Sequence, residues 1–235
     1  MVEGGRRVGR VAIMNDDFPF MKPRMHVAVG DEVKRGQVLF EDRKAEGVVF
    51  TAPTAGRIVE INRGARRVFQ SLVIQLSEEA LAGEGEQVAF ENYTAGSVDE
   101  LSREKVVALL AESGLWTSLR MRPYSRVPGT DETCDALFIT ATNTHPLGGS
   151  VSVRLGEGKG LETGLKVVRK LTDGPVWLCH GEGTVLPSVE GVQTAQFSGK
   201  HPAGLVGTHI HMLAPVGRTR TAWHLDVQDL SLIHI

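Results

Sequence analysis

The chain has 235 residues, 41% of them hydrophobic, and this length can bury a substantial core in about one to two domains. Its 26 basic and 28 acidic residues give a formal net charge of −2, so no net field attracts the chain to nucleic acid. No apolar run approaches the roughly 20 residues that span a bilayer, and the N-terminal segment lacks the apolar stretch of a secretory signal. The two cysteines, Cys134 and Cys179, are too few for a cluster with four thiolate ligands and indicate buried thiols.

The first predicted domain covers residues 1–86. Alternating apolar residues between Val29 and Phe40, interrupted by glycines, predict short strands joined by tight turns. This pattern resembles the barrel-sandwich hybrid of biotinyl and lipoyl carrier domains, and the domain is expected to be truncated at its N-terminus. In the carriers an Asp-Lys-Ala tip bears the modified lysine, whereas here Arg43 separates Asp42 from Lys44. The pattern therefore predicts the carrier fold without its chemistry, and a carrier module modified on Lys44 is an alternative function.

The second predicted domain covers residues 87–230 and follows a Gly- and Glu-rich linker. Ser102 is placed to cap a helix whose apolar residues recur at three- and four-residue spacing, and Gly114 is placed to end it. A continuous apolar run at 136–142 predicts a buried parallel strand, and the spacing of Leu161, Leu165 and Val168 predicts a second helix.

Further strands are predicted at 175–179, 192–197 and 223–230, which completes a β-α-β unit. The fold class is therefore α+β and multi-domain, with a barrel-sandwich hybrid followed by a Rossmann-like α/β domain. The pattern changes abruptly after Leu230, so residues 231–235 are expected to be a non-native tail.

Three histidines form a possible polar cluster. If Thr208–Leu213 is a strand, His209 and His211 share one face, and with His201 they would supply three zinc ligands. No metal motif is completed, so structural histidines and no bound metal are the favoured interpretation, and an independent His-ligated metalloenzyme is an alternative function. The glycine loop at 156–160 misses the spacing of a dinucleotide fingerprint and predicts a flexible loop.

Aromatic and cationic residues gather between the first helix and the first strand of the second domain. Trp116 and Tyr124 could stack on a planar ligand such as a quinone, while Arg120 or Arg122 donates to its carbonyl oxygen. Phe18 and Met21 would add an apolar wall. The alternative is that the aromatics pack the domain interface and the arginines face water.

Six segments together strongly resemble the first subunit, lettered A, of the bacterial sodium-translocating NADH:quinone oxidoreductase. The resemblance extends over about Val11 to Leu230, although chains of that family are about twice as long. The segments are Phe40–Lys44, Phe50–Pro53, Ile61–Arg67, Ser113–Thr117, Arg122–Pro128 and His201–His211.

The resemblance implies a peripheral subunit on the cytoplasmic side of the inner membrane. The complex passes electrons from NADH to ubiquinone and exports sodium, and the partners would be its other subunits, especially the membrane subunits. FAD, FMN, riboflavin and a 2Fe-2S cluster would lie on those other subunits. The chain is also similar to the Rnf complex C subunit and, more distantly, to the flavin-binding subunit of respiratory complex I.

In those relatives a glycine-rich loop holds the flavin, whereas this chain has Gly114-Leu-Trp-Thr at that position. Side chains would stand where the backbone must approach phosphate, so we expect no bound cofactor and no catalytic residue in this chain.

Overall fold

The computed structural model describes residues 8–93, 98–151 and 160–232. Within them, no helix combines the length and the apolar character that crossing a membrane requires. In the described part of the first domain there are seven strands, and all of their pairings are antiparallel. These strands are β1 Arg10–Met14, β2 Pro23–Met25, β3 Glu32–Val33, β4 Val38–Asp42, β5 Val49–Thr51, β6 Gly56–Arg63 and β7 Phe69–Leu76.

The seven strands form two sheets around one core. Four strands pair in the order β1-β7-β6-β3, and three pair in the order β2-β4-β5. A register shift in β4 between Val38 and Phe40 lets the consecutive side chains of Leu39 and Phe40 both enter the core. Strands β1 and β2 lie upstream of the Val29 pattern, where the sequence predicted no strand.

The segment predicted as a linker contains a helix, α1 Glu78–Ala82. The Ser77 hydroxyl oxygen accepts from the Ala80 amide at 3.1 Å and caps it. After this helix the Arg35 amide donates to the Glu86 carbonyl, and the Val88 amide donates to the Arg35 carbonyl, both at 2.9 Å. The predicted boundary at residue 87 stays a prediction, and the backbone on both sides of it pairs with the first domain.

The second domain contains a five-stranded sheet with the order β11-β10-β9-β12-β8. Four of the strands are parallel, and β8 pairs antiparallel with β12 at one edge. The strands are β8 Arg120–Arg122, β9 Ala136–Ala141, β10 Val176–His180, β11 Val192–Gln196 and β12 Ala222–Asp226. The α-helices are α2 Arg103–Glu112, α3 Leu161–Arg169, α4 Val206–Leu213 and α5 Val227–Leu232. Short 3-10 helices occur in both domains. They are Asn15–Asp17 and Ala65–Arg67 in the first domain and Val98–Glu100 and Leu115–Ser118 in the second.

Most predicted elements of this domain are confirmed. Helix α2 begins after Ser102, whose hydroxyl accepts from the Lys105 amide at 3.4 Å, and Gly114 follows its end in the left-handed conformation. The strand predicted at 223–230 is correct only as far as Asp226. The Asp226 Oδ1 atom accepts from the Gln228 amide at 2.9 Å and starts α5, which includes Ser231 of the predicted tail.

The two domains share a continuous hydrophobic core. Buried side chains of the first domain, including Met21 and Phe50, belong to one cluster with Trp116, Leu119 and others from the second. The Thr51 hydroxyl also donates across the junction to the Ser113 carbonyl at 2.9 Å. Buried residues and a hydrogen bond from both domains therefore meet at this junction.

Candidate functional site at the domain junction

The segments that carry the predicted site residues meet where the domains join. The Arg120 Nη2 atom donates to the Asp17 carbonyl at 3.2 Å, and the guanidinium carbon lies 4.8 Å from the centre of the Phe18 ring. The structure thus brings Arg120 onto the segment Asp17–Phe18, through a hydrogen bond to Asp17 and a cation–π contact with Phe18 across the junction.

Arg120 binds mainly to the protein's own backbone. Its Nη1 atom donates to the carbonyl oxygens of Thr117 and Leu119, in addition to the Nη2 bond to Asp17. Burial lowers the pKa of Arg120, and the carboxylates of Asp229 and Asp17 oppose that change. The guanidinium therefore positions the loop that follows α2 and has few donors left for a ligand.

The structure contradicts the predicted stacking role of Trp116. Its side chain is fully buried, and its Nε1 atom donates to the Pro128 carbonyl at 2.8 Å. Its ring packs edge-to-face on Trp223, with centroids 5.5 Å apart. Because a buried tryptophan contributes its whole area to packing once its N–H is satisfied, Trp116 is a core residue that offers no ring face to a quinone.

Arg122 and Tyr124 do not converge with Phe18 and Arg120 on one ring-sized site. Arg122 extends toward α4, where its Nη2 atom lies 3.3 Å from the position that a Cβ on Gly207 would take. Tyr124 is 68% exposed, and its ring lies 6.4 Å from that of Phe20, which is 62% exposed. Met21, predicted as an apolar wall, is buried in the hydrophobic core.

An apolar cleft of about 610 Å³ lies between the domains, and we call it the junction cleft. Phe18 is the only member of the predicted quinone set that lines it. Sequence reasoning missed Phe50 and Phe90, although an aromatic residue in the polar segment just after the linker was a signal that Phe90 is covered by another element. The apolar walls of the junction cleft include Ile13, Phe18, Phe50, Pro53, Phe90 and Leu115, and its polar rim includes Arg35, Gln87, Thr117 and Ser118.

A second opening of about 500 Å³ lies between the barrel tip at 42–46 and the loop at 126–132, and we call it the acidic cleft. Four carboxylates and two cations line it, namely Asp42, Glu46, Asp131, Glu132, Lys44 and Arg126. Arg126 donates to both carboxylate oxygens of Glu132, at 2.8 and 2.5 Å. This hydrogen bonding lowers the pKa of Glu132 and raises that of Arg126.

The barrel tip that would bear a carrier group is fastened to the second domain. The Glu46 carbonyl accepts from the amide and the hydroxyl of Thr130, at 3.3 and 3.0 Å. A Cβ on Gly47 would lie 2.5 Å from the Thr130 hydroxyl oxygen, so the two loops are in close contact. A lipoyl or biotinyl group on a carrier domain must move between sites, so the tip that bears it has to be free. Lys44 lies on a tip that is held against the second domain, which does not suit a carrier lysine.

The histidines do not form the arrangement that a strand would give. Residues 206–213 are helix α4, so His209 is buried against Phe197, with ring centroids 4.1 Å apart, while His211 is exposed. The Nε2 atom of His209 lies 2.9 Å from the Ala203 carbonyl, and burial lowers its pKa. His201 instead lies beside His145, with ring centroids 5.0 Å apart. Among the described residues, no group of three or more His, Cys, Asp or Glu side chains could hold a metal ion.

The remaining sequence predictions concern cysteines and glycines. Cys134 and Cys179 are buried free thiols, as predicted, and burial raises their pKa values to about 11 and about 12. Such thiols are poor nucleophiles and poor metal ligands. The predicted glycine loop lies outside the described residues except for Gly160.

Two family models match this chain. The model described as the NqrA N-terminal barrel-sandwich hybrid domain matches residues 1–77, and the model described as the NqrA second alpha/beta domain matches residues 101–234. The chain belongs to the NqrA family. Both the resemblance and the predicted order of a barrel-sandwich hybrid and an α/β domain are thereby confirmed.

Individual relatives agree with this assignment. The chain is 45% identical over 237 residues to the NqrA protein of the Na(+)-translocating NADH-quinone reductase from Photorhabdus laumondii, covering 99% of this chain and 52% of that protein. It is 44% identical to the corresponding proteins from Alcanivorax borkumensis, over 235 residues, and Vibrio parahaemolyticus, over 233 residues. These matches cover 99% and 98% of this chain and 51% of each relative. The chain spans about half the length of the curated NqrA relatives it matches.

Proposed function

We propose that this chain acts within the NqrA subunit of a sodium-translocating NADH:quinone reductase, as a peripheral component on the cytoplasmic side of the membrane. The observation that carries the proposal is the 45% identity, over 99% of the chain, to a named component of such a reductase. The shared core at the junction supports a rigid scaffold for assembly with the other subunits.

We propose further that the junction cleft binds the ring of ubiquinone. Its walls are aromatic and aliphatic, and its rim carries the hydroxyls of Thr117 and Ser118 and the guanidinium of Arg35. Apolar walls with a few polar groups at one edge suit a planar ring with two carbonyl oxygens. In this proposal Phe18 keeps its predicted role as an apolar wall, whereas Trp116 supports the cleft from the core.

The residues present do not fit a flavin at the position where more distant relatives hold one. Leu115–Ser118 form a 3-10 helix with Trp116 in the core, so side chains occupy the place of a glycine-rich phosphate cradle. We propose that this chain binds neither flavin nor an iron–sulfur cluster. Purified protein is expected to be colourless, and stoichiometric noncovalent flavin would contradict the proposal.

The assembly proposal is tested by affinity purification of the tagged chain from its host membranes. Sodium-stimulated NADH:quinone reductase activity should co-purify with it. Loss of the gene should remove that activity, and its full retention would show that the chain serves another complex.

The quinone proposal is tested in the same complex with a photoreactive ubiquinone analogue. Labelling is expected within residues 13–18 or 115–118 and should be suppressed by excess ubiquinone. Ser118→Phe fills the rim of the cleft and should reduce labelling at least about fivefold, since a ring cannot share that space. Ser188→Phe, at an exposed position outside the cleft, is the matched control. Labelling confined to other subunits would remove the quinone proposal and leave the assembly proposal intact.

A further inference from the structure

We infer that the exposed aromatic pair Phe20 and Tyr124, together with the adjoining acidic cleft, docks a basic and partly apolar segment of a partner subunit. The inference rests on the proposed membership of a multi-subunit complex. Phe20 comes from the first domain and Tyr124 from the second, and their rings meet edge-to-face at 6.4 Å. They are 62% and 68% exposed, so together they present an apolar patch that spans both domains.

The backbone adopts positive φ at Phe20 and at Ser125, the residue after Tyr124. Phe20 has φ of +69°, and Ser125, next to Tyr124, has φ of +58°. Positive φ is unfavourable for residues with a Cβ and especially for a bulky one. Strained backbone of this kind persists where function requires it, and a phenylalanine that gains no burial from its strain is hard to explain by folding alone.

The acidic cleft begins directly at this patch, because Phe20 also lines it. The Asp42 Oδ1 atom accepts from the amides of Lys22 and Lys44, and Glu132 is paired with Arg126. Glu46 and Asp131 form no ion pair with any residue that the structure describes. Two carboxylates therefore remain available at the edge of the patch.

This combination defines the chemistry of the partner. Tyrosine and phenylalanine are typical anchors at the centre of protein interfaces, and a neighbouring carboxylate surface favours lysine or arginine on the other side. An acidic or purely apolar partner would leave Glu46 and Asp131 unpaired at the contact, which is unfavourable. The expected occupant is thus a segment with apolar side chains for the aromatic pair and cations for the cleft.

The central experiment places a photo-crosslinker in the assembled complex. Tyr124→p-benzoylphenylalanine keeps an aromatic ring at the patch, and the same change at Tyr93, which is 65% exposed but lies outside the acidic cleft, is the matched control. Position 124 should crosslink at least about tenfold more than position 93, to a subunit segment rich in lysine or arginine. Adducts with lipid only, with an acidic segment, or no stronger than at position 93 would overturn the inference.

Substitutions separate binding from folding. Phe20→Asn should leave the melting temperature of the purified protein unchanged or raised, because asparagine tolerates positive φ, yet should reduce retention in the complex. A melting temperature several degrees lower would instead assign Phe20 a structural role and overturn the inference.

Asp131→Lys should weaken retention roughly tenfold, whereas Glu190→Lys, at an exposed site outside the cleft, should not. Equal retention of the two lysine variants would contradict the docking of a basic segment. If even the unmodified chain fails to co-purify with any subunit, the proposed function is wrong as well. If it co-purifies normally and only the crosslink is missing, the docking site alone is wrong.

Discussion

Gly114 shows how a single residue fixes the geometry of the junction. It has φ of +79°, and a Cβ there would lie 2.3 Å from the Thr51 hydroxyl oxygen of the first domain. The same hydroxyl donates to the Ser113 carbonyl, so α2 ends directly against the barrel. A glycine is required both by the left-handed turn and by the close approach of the two domains.

Gly114→Ala is therefore expected to destabilise the protein by about 2–4 kcal/mol, from backbone strain together with the steric clash. Gly83→Ala is the control, because Gly83 has φ of +88° but nothing within 4 Å of its Cβ position. That change should cost only about 1 kcal/mol. Urea unfolding measures the free energy of unfolding of both variants. Equal losses of stability would show that the protein relaxes around the added methyl group at the junction without a cost in free energy.

His224 controls part of the pH dependence of stability. Burial, followed by the nearby Arg122 and Arg120, lowers its pKa to about 3. Its Nε2 atom is buried without a hydrogen-bond partner among the described residues. The imidazole is therefore neutral in the folded protein over the whole physiological range.

Stability should accordingly fall as the pH is lowered from 6.5 towards 3. The unfolded chain takes up a proton at His224 below its ordinary pKa of about 6.5, whereas the folded chain does not, so protonation favours unfolding. Between pH 6.5 and 5 this residue should account for about 1–2 kcal/mol of lost stability. His224→Gln should remove that portion in unfolding experiments at the two pH values. An unchanged pH dependence would contradict a neutral buried imidazole.

At the scale of elements, the barrel tip and helix α4 show what neighbouring elements decide. The tip resembles that of a carrier domain in sequence, but the Thr130 loop fastens it through the Glu46 carbonyl. Helix α4 has histidines with the alternation of a strand, yet Ile210 packs it onto the sheet as a helix. In both cases a contact from outside the segment determines its behaviour.

Loss of the Thr130 hydroxyl should loosen the tip without unfolding the domains. Thr130→Val removes one of the two hydrogen bonds to Glu46, at a net cost of about 1 kcal/mol. Amide hydrogen exchange at residues 43–47 should then become faster, whereas Thr133→Val, at an exposed position, should leave it unchanged. Identical exchange in the two variants would show that the tip does not depend on this bond. Intact-mass measurement of the same samples should find Lys44 unmodified.

At the scale of the whole molecule, the shared core makes the two domains mechanically and thermodynamically dependent. One cluster of buried side chains includes Leu39 and Phe50 of the barrel together with Trp116 and Trp223 of the α/β domain. Arg120 adds polar contacts from β8 to the first domain. Separating the domains would expose this apolar surface, so they should unfold as a single unit.

Trp116→Ala tests this dependence, since it should destabilise by about 3–5 kcal/mol through the cavity it leaves in the core. The loss should appear equally in tryptophan fluorescence, which reports on the second domain, and in hydrogen exchange of Leu39 in the first. The two tryptophans that this variant keeps, Trp177 and Trp223, lie in the second domain, so the two probes are independent. Two separate transitions would show that the domains fold independently.

Local signals predicted most of the secondary structure of the second domain. The cap at Ser102, the glycine at 114 and the apolar run at β9 specify their elements through nearby residues, and each was predicted correctly. Phe18 lies beside Arg120 and lines the junction cleft, and its role in binding quinone stays a prediction. Trp116 was misplaced, because its partners Pro128 and Trp223 are distant in sequence and nothing local distinguishes a buried tryptophan from one that binds a ligand.

The sequence by itself determined the fold class, the family and the replacement of glycines by Leu115-Trp-Thr-Ser118 after Gly114, because these depend on residue types at fixed spacings along the chain. Only the tertiary structure decided that Trp116 lies in the core, that Phe20 and Tyr124 project together from two domains, and that two clefts open at the junction. Those features arise from contacts between residues more than a hundred positions apart, such as Phe20 with Tyr124 and Trp116 with Trp223. Burial at such contacts is a property of packing that no local pattern encodes.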